Sequence, residues 1–318
     1  LAARIWTGEV SKKEEEMNQR AQIRMLPDQR RLHLHDGPID LIVEAFGTPV
    51  EIKAAYRAAA ARFVTVLDEL SSELSLLRQA WSSEAEWPAG AVARRMAAAV
   101  TPYATEYFIT PMAAVAGAVA EEILAAMLAA AELSRAYVND GGDIALHLSA
   151  AETFVVGMVE RPDFSLLGSL LSTTTVHSSD PVRGIATSGW RGRSFSLGIA
   201  DAVTVLADRA GAADAAATII ANAVDLPGHA AVVRTPACQL APDSDLGDQP
   251  VTQAVGKLTK EEVNRALQTG ALTAELLLRM GLIRSTALSL QGETRVVGVL
   301  GQSQILAAPV GERGLVHA

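Results

Sequence analysis

The sequence predicts an α+β fold in which mixed or antiparallel sheets pack against alanine-rich helices. Three observations lead there. Stretches of alternating or continuous apolar residues come in pairs joined by turn chemistry: DGP at 36–38, NDGGD at 139–143 and QGE at 291–293. Apolar residues spaced three and four apart, the helical period, fall between these pairs and not after every strand, so there is no regular βαβ series. Hydrophobic residues make up 49% of the 318 but aromatics only 4%, so the core must be built from Ala, Val, Leu and Ile with helices in close approach.

Each element follows in order. Residues 1–29 are set apart as an N-terminal extension expected to be flexible, charged and without the apolar segment of a secretory signal. RRLHLHDGPIDLIVEAF, 30–46, reads as a β-hairpin. His33 and His35 share one of its strand faces, which suits a metal pair less well than an ordinary exposed face. Residues 49–80 show helical periodicity with Pro49 near the start. WSSEAEWPAG, 81–90, is a loop, and 92–104 is a short helix ended near Pro102. A helix of small residues is expected from about Pro111 to Ala136. Its stretch 109–131 is apolar enough to raise the question of a membrane span, but Glu121 and Glu122 sit in its middle and assign it to a core.

YVNDGGDIALHL, 137–148, gives strand, turn and strand, and 154–162 gives another strand followed by a loop. Residues 184–207 read as strands joined by turns, 211–224 as a helix ended by DLPG, and 237–251 as a polar linker. One or two helices are expected over 258–281, where Thr259 and Glu262 have the spacing of a capping box. ALSLQGETRVVGVLG makes a last hairpin. Residues 30–250 are read as the core and 251–318 as a C-terminal helical segment plus hairpin packing on it.

Composition narrows the function. A net charge of −9 argues against a general nucleic-acid binder, which needs a basic face. No membrane partner is expected. The single cysteine, Cys238, forms no intrachain disulfide, and the expectation is a cytoplasmic protein with a structural thiol. The long alanine- and leucine-rich stretches lead us to expect a homo-oligomer.

Four stretches could carry chemistry. AADAAAT, 212–218, places Asp214 and Thr218 one helical turn apart on one face, suited to a hard cation or to a helix cap with a back-bonded threonine. NDGGD, 139–143, offers two glycines that let a backbone approach a ligand, flanked by Asn139, Asp140 and Asp143. ATSGW, 186–190, ends an apolar strand with two hydroxyls, a glycine and an indole; Trp190 could stack on a flat heterocycle. PMAAVAGAVAE, 111–121, makes a nearly side-chain-free stripe through Ala113, Ala116, Gly117 and Ala120, suited to tight packing or to a cofactor lying on it.

In this order the four stretches, with DAVTVLA at 201–207, resemble the ApbE-type flavin transferases, which carry a small-residue helix, an N-x-GG-(D/E) turn, a TSG strand end, a V-T-V strand and an A-D-A-x-x-T helix start. The resemblance covers roughly residues 105–225. With GPIDLIVEA and LTKEEVNRAL, the chain looks most like an uncharacterised branch of that superfamily. The resemblance implies an ApbE-like fold and a nucleotide or flavin ligand, FAD or FMN, held with Mg²⁺. It assigns the metal to Asp214 and Thr218. It assigns the cofactor pocket to Asn139, Gly141, Gly142, Asp143, Thr187, Ser188, Gly189, Ala116 and Gly117. The implied chemistry is cleavage of the FAD pyrophosphate, with FMN passed to a protein threonine or to water.

Two departures qualify this. The transferase helix reads A-K-G-Y where this chain has Ala116-Gly117-Ala118, and an H-x-x-D-P stretch is replaced by SFSLGIAD at 194–201. A transferase lacking that cation and that base should be slow as a transferase, so a pyrophosphatase or a degenerate transferase is expected. A different pterin or nucleotide enzyme on the same scaffold, or a binding module without catalysis, stays open.

Overall fold

The computed structural model describes residues 20–159, 170–299 and 315–317. In chain order the strands are β1 (Gln22–Met25), β2 (Leu32–Asp36), β3 (Ile39–Phe46), β4 (Arg135–Asp140), β5 (Asp143–Leu148), β6 (Thr153–Val159), β7 (Leu170–His177), β8 (Gly184–Ser188), β9 (Ala202–Ala207), β10 (Val232–Pro236), β11 (Pro250–Val255), β12 (Ser285–Leu290), β13 (Glu293–Gly298) and β14 (Leu315–His317). The long helices are α1 (Pro49–Ser72), α2 (Ala91–Val100), α3 (Val115–Ala130), α4 (Ala210–Ala223) and α5 (Lys260–Arg279).

Nine strands form one sheet in the order β1-β2-β3-β4-β5-β8-β9-β12-β13, antiparallel at every junction. The junctions differ in length. Most run through four to six residue pairs, whereas β5 and β8 pair through Ile144–Ile185 and Ala145–Gly184, extended by the Leu146 N–H to the Arg183 carbonyl at 2.9 Å. A second sheet, β14-β6-β7, mixes a parallel and an antiparallel pair. The α+β class with antiparallel and mixed sheets therefore stands.

Strand parity divides the core. Ala136, Val138 and Ala145 face α1 and α3, together with Phe63, Val66, Ile123 and Met127. Ala186, Val203 and Val205 face α4 and α5, together with Ile219, Ile220, Leu267 and Leu277. On the opposite face Tyr137, Ile144, Leu146 and Ile185 meet Phe154 and Val156 of the smaller sheet. Alternation puts successive side chains on opposite faces, so β4, β5, β8 and β9 each feed a core on both faces.

Local chemistry explains most elements. Gly37, Gly141, Gly142 and Gly292 all have positive φ, as the tight hairpin turns require. Thr48 caps α1 and accepts the Glu51 N–H at 3.3 Å, with Pro49 next in line. The capping box of α5 forms as its spacing predicts: Thr259 Oγ1 accepts the Glu262 N–H at 3.2 Å, and Glu262 accepts the Thr259 N–H at 2.8 Å. Thr259→Ala is expected to cost about 1 kcal/mol, read as a lower denaturation midpoint at unchanged slope.

Several boundaries differ from the sequence reading. Gln22–Met25 lies within the stretch set apart as an extension, yet it pairs with β2 as the edge strand. The helix expected to reach Ala136 ends at Ala130. Glu132 there donates its N–H to Glu51 at 2.9 Å, and the chain re-enters the sheet at Arg135. Leu170–His177 is a strand where a loop is expected, because its STTTV run has β-branched residues but little apolar alternation. The polar linker 237–251 is the excursion of a two-stranded ladder, β10 with β11, and includes the short helix Ala237–Leu240. The expected strand at 154–162 is present to Val159, and its remainder lies outside the described residues.

Pro111–Ala130 is long and apolar enough to cross a membrane by length and composition. In the fold, α3 buries Gly117, Ala118, Val119, Ala120, Ile123, Leu124 and Met127. Its two mid-helix glutamates are paired: Glu122 with Arg62 and Arg95, and Glu121 with Arg95 and Arg209. Burial pushes the Glu122 carboxyl up, but the hydrogen bonds from Arg62 and Arg95 hold it below its usual range. His33 and His35 lie on one strand face with ring centroids 6.2 Å apart; His33 pairs with Asp40 across the hairpin and accepts from Arg24 at 3.0 Å.

Candidate functional site

The starts of α3 and α4 cross so closely that glycine is needed. A Cβ on Gly117 would lie 2.4 Å from the Ala210 carbonyl oxygen and 2.7 Å from the Gly211 nitrogen. Neither helix caps itself: Ala114 and Arg209, at the two N-cap positions, make no side-chain cap bond. Each helix supplies the other's cap. Glu121 of α3 accepts the Gly211 N–H at 2.8 Å, and Asp214 of α4 accepts the Gly117 N–H at 3.0 Å. The free N–H groups of a helix's first turn favour such anions. Asp214 is thus a cap, but of a helix distant in sequence.

The β4–β5 turn approaches the same place. Gly141 and Gly142 carry φ of 63° and 115°, and Asn139 Oδ1 accepts the Gly142 N–H at 2.8 Å. Asp143 begins β5 and accepts the Thr187 N–H at 3.1 Å, which ties the turn to the end of β8. Three carboxyl groups influence one another here. Burial and then the charge of Asp143 push Asp140 up to about 8. Burial and the charge of Asp214 push Asp143 well above its usual range, against the Thr187 N–H and the Arg193 charge. Burial pushes Asp214 up to about 7, Asp140 adding to it and the Gly117 N–H opposing it. Asp143, Asp214 and Thr218 nevertheless keep partial solvent access. These half-buried side chains, with the glycine turn and the starts of the two helices, make up the candidate site, here termed the recess. Among the described residues no three His, Cys, Asp or Glu side chains group as a metal set.

The structure therefore brings Asp143, Asp214, Ala116, Gly117 and the Gly141–Gly142 turn together. Thr218 lies one turn along α4 from Asp214, and its hydroxyl makes no hydrogen bond among the described residues, so it is not back-bonded. Ser188 pairs with Val203, whose side chain is in the helix-side core, and so shares that face.

Other residues of the sequence-predicted set contribute differently. Thr187 reaches the recess through its N–H alone; its hydroxyl bonds Thr204 at 2.9 Å on the opposite face. Gly189 is required by packing, since a Cβ there would meet the Asp201 carbonyl at 2.6 Å. Asn139 pairs in register with Ile144, on the far face, and serves the turn. One face of the Trp190 ring is covered by the Arg191 guanidinium at 4.4 Å, and its indole N–H goes to Asp201 at 3.1 Å, so stacking on a heterocycle is left to the other face. Cys238 donates to Asp248 at 3.1 Å, which raises its pKa and leaves the thiol unactivated. Sequence reasoning missed Glu121 as the cap that sets the start of α4, and Arg193, which lies over the Gly141 turn. A mid-helix glutamate in an apolar segment was the available signal for the first. Nothing local marks the second.

Comparison with known proteins agrees in extent with this fold. A family model described as AbpE bacteria matches residues 23–296. The chain is similar to the UPF0280 protein of Methanopyrus kandleri, 40% identical over 132 residues, which is 41% of this chain and 48% of that one. It is similar to the UPF0280 protein of Methanococcoides burtonii, 38% identical over 126 residues, 39% of this chain and 49% of that one. The UPF0280 protein of Methanocella arvoryzae is 39% identical over 142 residues, 44% of this chain and 54% of that one. The chain spans about half the length of the curated relatives it matches.

Proposed function

The chain belongs to the family described as AbpE bacteria, and from that premise we propose that it is an ApbE-like protein binding FAD or a related nucleotide together with Mg²⁺. One observation carries the reading. Asp214 of α4 takes the Gly117 N–H at the start of α3, and its charge acts on Asp143 of the β4–β5 turn, which in turn holds the end of β8. Four stretches separated in sequence thus converge on one recess, and they are the four that carry the resemblance to flavin transferases.

The donors suit the ion. Asp214, Thr218 and Asp143 offer oxygen only, as a hard cation prefers, and Mg²⁺ is commonly held by one or two carboxylates with substrate phosphates completing its shell. Asp143 and Asp214 are half-buried carboxyls, and the charge of Asp214 pushes Asp143 up, an arrangement a dication relieves. When bound, Mg²⁺ would neutralise charge on a diphosphate during its cleavage. The chain's own contribution is positional. Asp214 and Thr218 present oxygen from one helix face, and the Gly141–Gly142 turn lets the backbone approach the ligand. The chain has no lysine at Ala116 and no histidine within 194–201, so pyrophosphate cleavage or binding fits better than transfer to a threonine. A binding module without turnover is the second reading, favoured by the fact that Asp214 already has structural work as a cap.

Titration with FAD, with and without Mg²⁺, followed by flavin fluorescence, tests this. Saturable binding that tightens with Mg²⁺ is expected. No binding at high micromolar FAD in either condition would overturn it.

A further inference from the structure

The loop between β8 and β9 is pinned on both sides. Trp190 donates its backbone N–H to the Ala200 carbonyl at 3.0 Å, and Arg191 donates to Asp201 at 2.7 Å. Farther along, the Leu197 N–H reaches Asn222 Oδ1 at 2.9 Å. Between these anchors Gly192–Phe195 form an exposed tip. From that tip Arg193 reaches back over the β4–β5 turn. One of its guanidinium nitrogens lies 1.9 Å from the point a Cβ on Gly141 would occupy, so the missing side chain makes room for the cation.

Arg193 differs from the arginines around it. Arg191 closes on Asp201, Arg209 on Glu121, and Arg183 on the Asp180, Val182 and Ser178 carbonyls. Arg193 is near enough to Asp140 and Asp143 for its charge to act on both, yet among the described residues it makes no hydrogen bond and no ion pair. An arginine serving only as counter-ion to those carboxyls would close on one of them. Here the five N–H donors of the guanidinium fork lie at the rim of an acidic recess, with no acceptor among the described residues.

We propose that Arg193 contacts a phosphate of the ligand that enters the recess between the Gly141 turn and α4. The inference deepens the nucleotide reading above and rests on it for the ligand's place. A guanidinium matches phosphate oxygens two at a time. It also supplies positive charge where the floor is carboxylic and would otherwise repel an anion. The residue selects phosphorylated ligands over the free flavin or nucleoside.

The test is calorimetric titration of the full chain with inorganic pyrophosphate in the presence of Mg²⁺, on the wild type and on Arg193→Gln and Arg193→Lys, with FAD as a separate arm. Arg193 is exposed, and melting curves verify that each variant folds. Wild-type binding of pyrophosphate is expected, weakened about tenfold or more in Arg193→Gln, with Arg193→Lys intermediate because it keeps charge but loses the fork. Absence of pyrophosphate binding by the wild type overturns the proposal. So does an unchanged affinity in Arg193→Gln; a melting shift there without a change in affinity marks a counter-ion only. FAD binding that survives intact in Arg193→Gln removes this inference and leaves the functional reading. Pyrophosphate binding lost with Arg193, in a protein that never binds FAD, keeps the inference and removes flavin as the ligand.

Discussion

Asp214→Asn is expected to abolish the Mg²⁺ dependence of FAD binding and to weaken that binding by about 100-fold, at or beyond the upper end of what removing an outer-shell partner of a metal ligand costs. Asparagine keeps an oxygen that accepts the Gly117 N–H, now at 3.0 Å from the carboxylate, so the cap on α3 survives while the charge goes. The variant therefore separates the two roles of the residue. Unchanged FAD affinity in Asp214→Asn would leave the carboxylate as a cap alone.

The same substitution has a signature in the ligand-free protein. Burial and the Asp140 charge push the Asp214 pKa up to about 7, above an unfolded value of about 3.8. Between those values the folded state binds more protons than the unfolded state, so stability falls as pH rises. Asp140, pushed up to about 8, acts in the same direction. The wild type should lose stability from about pH 4 to pH 8, and Asp214→Asn should flatten the curve by on the order of 4 kcal/mol. Denaturant midpoints across that range, without added Mg²⁺, measure it. A wild-type profile that rises with pH would contradict the electrostatics of the recess.

Gly117→Ala is expected to give the second large effect, a destabilisation of about 1–3 kcal/mol with loss of ligand binding. The new methyl would meet the Ala210 carbonyl carbon at 2.5 Å as well as its oxygen at 2.4 Å. These are backbone atoms, and no side chain can swing aside. The two helices must part, and both cap bonds, Gly117 to Asp214 and Gly211 to Glu121, lengthen together. Thermal melting and FAD titration of one preparation read both consequences. A variant with wild-type melting would mean that the close crossing of α3 and α4 is not needed.

Where the chemistry is local, the sequence was a sufficient guide. The hairpins at Gly37, Gly141–Gly142 and Gly292 and the capping box at Thr259 are each decided within a few residues. Residues β7, β10 and β11 form strands without the apolar alternation that would announce them, because their partners supply the stability. The site divides in the same way. The spacing of Asp214 and Thr218 on one helix face is readable. The identity of the N–H that Asp214 accepts is not, since Gly117 is far away in the chain. Thr187 shows the limit most clearly. Its place at the head of the TSG stretch is visible in the sequence, but strand register sends its hydroxyl to Thr204, behind the sheet, and leaves only its N–H for the recess.

The brief pairing of β5 with β8 has a consequence for the whole molecule. On the helix side the flanks of that seam pack into separate cores, and the recess opens there, with Asp143 on one bank and the Thr187 N–H on the other. Fewer ladder pairs cross there than at any other junction of the nine-stranded sheet. A guest that grips both banks works as a clasp, so occupancy of the recess is written into the temperature at which the protein melts.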